Sequence, residues 1–388
     1  MLLRAARTAR GALLVAPYGR GGPLACGGAR CLSGESNLAS QKKALAAMKE
    51  ELAGMQAQDP EREHASCGSA GVDRLLNPPL AFADHTLRGM GQVVFANSPL
   101  SGGIILAALA TADPALAGCA LLGCASATAA AKAAPMDSAA VADGLRGFNG
   151  ALVGCGFAVF LAPDLGGGAA GLAAAVAAGG TASAFVADKL GALITNVPQF
   201  TLAFNVVTLG TLLAAKPFAA AAAAAEGAAE AVEPAMEAAA LAAAPFIGVS
   251  QIFVAESLPC GLLVLAALAA GPDRGAGAEA VGYTIIGTTI GAATGGALGV
   301  ESSAIAAGLC GFNPALTALA VSTFVAPGVR SFALASGGAA ATTALTAGLV
   351  PIGALLGIPV CTLPFCVAAS TALLLAPAVG AKLRQRPS

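Results

Sequence analysis

Residues Leu87–Gly102 read LRGMGQVVFANSPLSG, and Phe246–Gly261 read FIGVSQIFVAESLPCG. Gly89, Gln92, Ala96, Ser98 and Gly102 of the first stretch return as Gly248, Gln251, Ala255, Ser257 and Gly261 of the second, 159 residues on. Two further pairs follow in the same order. GLRGFNGAL at Gly144–Leu152 returns as GLCGFNPAL at Gly308–Leu316, 164 residues later. VPQFTLAF at Val197–Phe204 returns as IPVCTLPF at Ile358–Phe365, 161 residues later. Three pairs at nearly one spacing mean a duplicated unit. In a hydrophobic chain, duplication points to a transporter or channel whose site lies where the repeats meet.

Composition supplies the hydrophobic chain. Apolar residues make up 57% before the 50 glycines are counted, where soluble domains reach about 45–50% with glycine included. Charged residues are 11%, against about 25% in soluble proteins. So few charges cannot cover the surface of a soluble protein of 388 residues. The chain therefore reads as an integral membrane protein, and its net charge of −1 gives no sign of a nucleic-acid partner. Continuous apolar runs, without the alternation of a barrel strand, make the spans helices. Trp is absent and the tyrosines are Tyr18 and Tyr283, so an interfacial aromatic belt is missing.

The remaining chemistry is sparse. The ten cysteines form no CxxC and have no His partners, and most sit in apolar runs as small hydrophobes. His64 and His85 both precede the repeated motifs, leaving no His-based metal site or proton relay among them. No P-loop, dinucleotide fingerprint or G-x-S-x-G elbow occurs. The sequence predicts no enzyme and no cofactor.

Six segments follow. Residues 1–36 carry Arg4, Arg7, Arg10, Arg20 and Arg30 before the first acid, Glu35, and resemble an organellar targeting segment more than a secretory signal. That places the protein in a mitochondrial or plastid membrane, with the plasma membrane as the alternative. Residues 37–75 are polar, 76–215 form the first membrane repeat and 245–381 the second. Between them, 216–244 is an alanine tract broken by Glu226, Glu230, Glu233 and Glu237, expected as a solvated linker. Residues 382–388 are a basic tail. Gly287, Gly291, Gly295 and Gly299 recur every four residues, a helix face for close packing.

RGMGQVVFAN, the two GFN segments and the two x-P-x-x-T-L-x-F segments resemble the urea transporter family over roughly residues 80–380. The resemblance implies an all-α membrane fold, an inverted-repeat bundle of about ten transmembrane helices plus two half-spanning helices. It implies a homotrimer with a pore in each protomer, conducting urea or a closely related small neutral amide. By the same resemblance, one mouth uses Gln92, Val93 and Phe95 with Phe148 opposite, and the other Gln251, Ile252, Val254 and Phe312. Thr201 and Thr362 stand at the constriction, flanked by Leu152 and Leu316, on segments shaped by Pro198, Phe204, Pro359 and Phe365. The chemistry is coherent without the family. A planar amide stripped of water needs acceptors along its N–H edges, because an unpaired buried amide costs several kcal/mol. Its faces need only apolar contact.

The chain departs from the family pattern in places. Val197 and Ala203 stand where leucine and a second proline are expected, Ile247 stands opposite Arg88, and Ser250 opposite Gly91. Val254 matches Phe95, with the aromatic moved to Phe253. Glu256, opposite Asn97, and Glu301 are intramembrane candidates for an ion-coupled transporter, the first alternative. A scaffold of the same fold without transport is the second. Asn313-Pro314-Ala315 spells one aquaporin-like NPA, but its partner is Asn149-Gly150-Ala151, and an ammonium channel would want pore histidines.

Overall fold

The computed structural model describes residues 70–165, 167–215, 234–271 and 273–384. These lie within one compact unit, Lys43–Ser388. The expected targeting segment, most of the polar region, the linker as far as residue 233 and the last four residues of the tail lie outside the described residues.

Helices run in the order α1 (Ala70–Gln92), α2 (Pro99–Ala112), α3 (Pro114–Ala133), α4 (Ser138–Ala142), α5 (Phe148–Gly156), α6 (Gly168–Leu193) and α7 (Leu202–Ala215). Then follow α8 (Pro234–Ser250), α9 (Leu258–Ala269), α10 (Arg274–Ala297), α11 (Ser302–Ala306), α12 (Phe312–Phe324), α13 (Val329–Leu356) and α14 (Leu363–Leu375). The order of long and short helices is the same in both halves. No strand occurs among the described residues, only an isolated bridge between Val325 and Leu383.

Matching helices start for matching reasons. Ser98 Oγ accepts from Ser101 N at 3.2 Å ahead of α2, and Ser257 Oγ accepts from Cys260 N at 3.3 Å ahead of α9. Asp113 caps α3 through Ala115 N at 2.7 Å, and Asp273 caps α10 through Gly275 N at 2.8 Å. Each cap satisfies a helix-end N–H that has no partner within its own helix. The connections turn alike too. Phe95 and Val254 both hold φ 60°, Phe200 and Cys361 both 51°, and Gly144 and Gly308 hold 73° and 76°. At Val254 the chain bends by 76° between the end of α8 and α9. Ser250 secures that bend, its Oγ donating to Ala255 O at 2.6 Å and accepting from Ser257 N at 3.2 Å.

Packing repeats in the same way. α3 lies against α5 and α6, and α10 against α12 and α13; α1 lies on α2, and α8 on α9. The halves join along α2 and α9, and again where α7 meets α14. One core cluster crosses both halves, including Met90, Leu109, Leu152 and Phe204 with Ile252, Phe253, Leu316 and Phe365. A Cβ on Gly287, Gly291 or Gly295 would collide with Pro314 or Cys310 across the α10–α12 contact, so these glycines pack as their spacing predicts. Gly299 instead lies past the end of α10 at φ 77°, with nothing near it.

α3, α6 and α13 are long and apolar enough to cross a bilayer, and the bent α8–α9 pair makes a fourth span if counted as one. In their most apolar stretches α6 and α13 are only 28% and 22% buried, and Leu193, Val329 and Leu355 stand well exposed. Such faces suit lipid. α2, α7 and α14 are apolar but short, and the expected ten spans are not reached on length and composition among the described residues. At 14 and 13 residues, α7 and α14 extend about 20 Å, against about 30 Å of hydrocarbon.

Candidate functional site

The N-termini of α7 and α14 meet. Thr201 and Thr362, each 3% exposed, stand just ahead of them with their hydroxyl oxygens 2.6 Å apart. Each threonine follows a left-handed residue, Phe200 or Cys361, which turns the chain into the helix. The GFN asparagines hold these starts from the other helix of their own half. Asn149 Oδ1 accepts from Phe204 N at 2.9 Å, and Asn313 Nδ2 donates to Cys361 O at 3.0 Å. Asn313 in its NPA triplet is thus a brace for α14. Leu152, Leu316, Phe204 and Phe365 are buried around the meeting point, while Pro198 and Pro359 are half-buried.

The threonines share two further partners. Asn205 Nδ2 donates to Thr201 O and to Thr362 Oγ1, both at 2.9 Å, and Cys366 Sγ lies 3.3 Å from Thr201 Oγ1. Position 366 is the repeat counterpart of 205, so the surroundings of the hydroxyl pair are chemically one-sided.

A cavity of about 430 Å³ runs to Thr201 from the first half. Of the residues predicted for a mouth or constriction, Gln92, Val93, Phe95, Phe148, Pro198, Thr201 and Phe365 line it. Leu152, Phe204, Gln251, Ile252, Val254, Phe312, Leu316, Pro359 and Thr362 do not. Gln92 and Gln251 are nonetheless held alike. Gln92 Nε2 donates to Asp143 O, and Gln251 Nε2 to Ala307 O, each at 2.8 Å. A carbonyl only accepts, so both amide nitrogens are committed and both Oε1 atoms remain as acceptors.

Sequence reasoning missed much of the lining. Phe200 and Phe324 join Phe95 in an edge-to-face triangle, with centroids 5.9–6.1 Å apart. Phe200 sits inside the quoted VPQFTLAF segment, whereas Phe324, in the other repeat, gives no local signal. The repeat counterparts of Phe95 and Phe200 are Val254 and Cys361, so the aromatic group belongs to one side. Phe253 is wholly buried in the core and does not stand in for the missing ring. Asp137, Asp143, Asp188 and Arg146 also line the cavity, at places where charges interrupt the apolar runs. Arg146 pairs with Asp188 at 3.2 Å. Asp84, Arg88, Asn97 and Asp143 form a chain of contacts of 2.7–2.9 Å beside Gln92. Glu256 and Glu301 are exposed and line no part of this cavity. Among the described residues no three His, Cys, Asp or Glu side chains are grouped as a metal ion would need.

Comparison with known proteins bears on this arrangement. Residues 83–377 match the family described as urea transporter. Urea transporter 1 of Ovis aries is 31% identical over 307 residues, which is 76% of this chain and 77% of the relative, and that of Capra hircus matches to the same extent. Urea transporter 1 of Rattus norvegicus is 30% identical over 251 residues, 62% of each chain, so the match spans a little under two thirds of that protein.

Proposed function

The chain belongs to the urea transporter family, and we propose that it is a passive channel for urea or a closely related small neutral amide. In this reading the two halves are oppositely oriented and the path runs between them, past Gln92 and Phe148, through Thr201 and Thr362, and out past Gln251 and Phe312. The observation that carries it is the contact of two hydroxyls, 161 residues apart, at the facing starts of two helices too short to span.

The physics favours a neutral planar solute there. Helix N-termini carry a partial positive charge, which repels cations and suits a carbonyl oxygen. Glutamine Oε1 atoms and threonine hydroxyls accept from N–H groups along the way. A dehydrated ion finds no replacement for its water, and no titratable group has to change charge. The threonine pair closes the path on itself, and a passing amide would exchange that bond for two of its own.

The proposal includes a trimer and an organellar or plasma membrane. Glu256 and Glu301, the acids on which the ion-coupled alternative rests, lie away from the cavity, which Asp137, Asp143 and Asp188 line instead. The scaffold alternative draws on the second half, where Val254 and Cys361 stand in place of Phe95 and Phe200 and leave Phe312 as the ring named for that mouth.

The test is urea entry into vesicles holding the full chain, followed by light scattering. Entry should be faster than in protein-free vesicles and indifferent to proton or sodium gradients. Equal rates with and without protein would refute the channel.

A further inference from the structure

We propose that Asn205 sets which amides the Thr201–Thr362 constriction accepts, by offering a fixed acceptor to a second amino group. The inference rests on the channel reading above.

Asn205 is 2% exposed, so its amide has to find partners within the protein. Its Nδ2 donates to Thr201 O and to Thr362 Oγ1. Because Thr201 O only accepts, the amide cannot be turned round, and Oδ1 is left over. That oxygen is buried without a hydrogen-bond partner. Thr208 Oγ1, one turn along α7, is also buried without a partner. The repeat counterparts on α14 are Cys366 and Ala369, which carry no oxygen in their side chains. Of the two facing helices only α7 therefore carries spare side-chain acceptors, and the other one near the threonines is Asn313 Oδ1 on α12.

Asn205 also polarises the hydroxyl pair. With Asn205 Nδ2 donating to Thr362 Oγ1, the Thr362 proton is free to lie on Thr201 Oγ1 and the Thr201 proton on Cys366 Sγ, although either atom of each of those two contacts could be the donor. Both hydroxyls then offer lone pairs, and an amide entering between them presents an N–H edge. Urea carries a second amino group, which Asn205 Oδ1 accepts. Acetamide has the same planar shape with a methyl in that place, and it leaves Oδ1 unmet. Sites built to bond a polar group discriminate strongly against the isostere that lacks it.

The experiment compares urea and acetamide flux, above the lipid background, in vesicles holding wild type, Asn205→Cys or the exchange Asn205→Cys with Cys366→Asn. Wild type should favour urea. Asn205→Cys should lower the urea-to-acetamide ratio by about tenfold, and the exchange, which moves the amide to the repeat-related position, should recover much of it. An unchanged ratio in Asn205→Cys overturns the assignment. So does equal loss of both solutes with no recovery in the exchange, which would make Asn205 a packing residue. Wild type that conducts neither solute overturns the channel reading itself.

Discussion

A left-handed backbone costs any residue with a Cβ about 1–2 kcal/mol, and a β-branched one more. Among the described residues, the non-glycine ones with positive φ are Phe95, Phe200, Val254 and Cys361, two repeat-related pairs. Strain of this kind persists where the surroundings enforce it, and it collects at functional sites. Here Phe95 and Phe200 line the cavity, and Phe200 and Cys361 immediately precede the two threonines that meet. Those threonines are not equivalent. Thr362→Val removes an acceptor of Asn205 Nδ2, whereas Thr201→Val leaves that amide with the Thr201 carbonyl and the Thr362 hydroxyl. Both substitutions should lower urea flux. Thr362→Val should also cost more stability, by about 1–2 kcal/mol, as read from thermal unfolding in detergent. A larger loss in Thr201→Val would contradict this bonding pattern.

At the scale of elements, helices cross where glycine lets backbones touch. A Cβ on Gly102 would overlap Leu87 O, and one on Gly261 would overlap Phe246 O, so α2 against α1 and α9 against α8 leave no room for alanine. Gly103, the next residue on α2, has nothing within 4 Å. Gly102→Ala and Gly261→Ala should each destabilise by about 1–3 kcal/mol or more and lower the yield of folded protein. Gly103→Ala should stay within about 1 kcal/mol of wild type. Thermal stability of the three purified variants decides the matter, and equal behaviour of all three would mean the helices do not cross at these points.

Over the whole molecule, residues 382–384 return to the candidate site. Arg384 donates from Nε to Ser322 O at 2.7 Å and pairs with Glu279 at 2.5 Å, while Ala326 N donates to Lys382 O at 2.7 Å. Lys382 and Arg384 thereby strap the end of α12 beside Phe324, a member of the aromatic triangle. Arg384→Ala should cost about 1 kcal/mol, a modest figure because the pair is partly exposed. Arg384→Lys should recover only part, since lysine restores the charge but not the second donor. A full recovery by lysine, in the same melting measurement, would leave charge as the whole effect. Lys382 and Arg384 were legible in the sequence as basic residues, but their partners were not. The same division runs through the chain. Membrane residence and the duplicated order of segments follow from composition and from patterns a few residues long, because apolar runs and short motifs are local properties. The family resemblance already implies Thr201 and Thr362 at one constriction, but the one-sided pairing of Asn205 with Cys366 beside them and the placing of Phe324 beside Phe95 depend on contacts across more than a hundred residues. Only the packed fold decided those, because side chains so far apart in the chain meet only when the helices carrying them have come together.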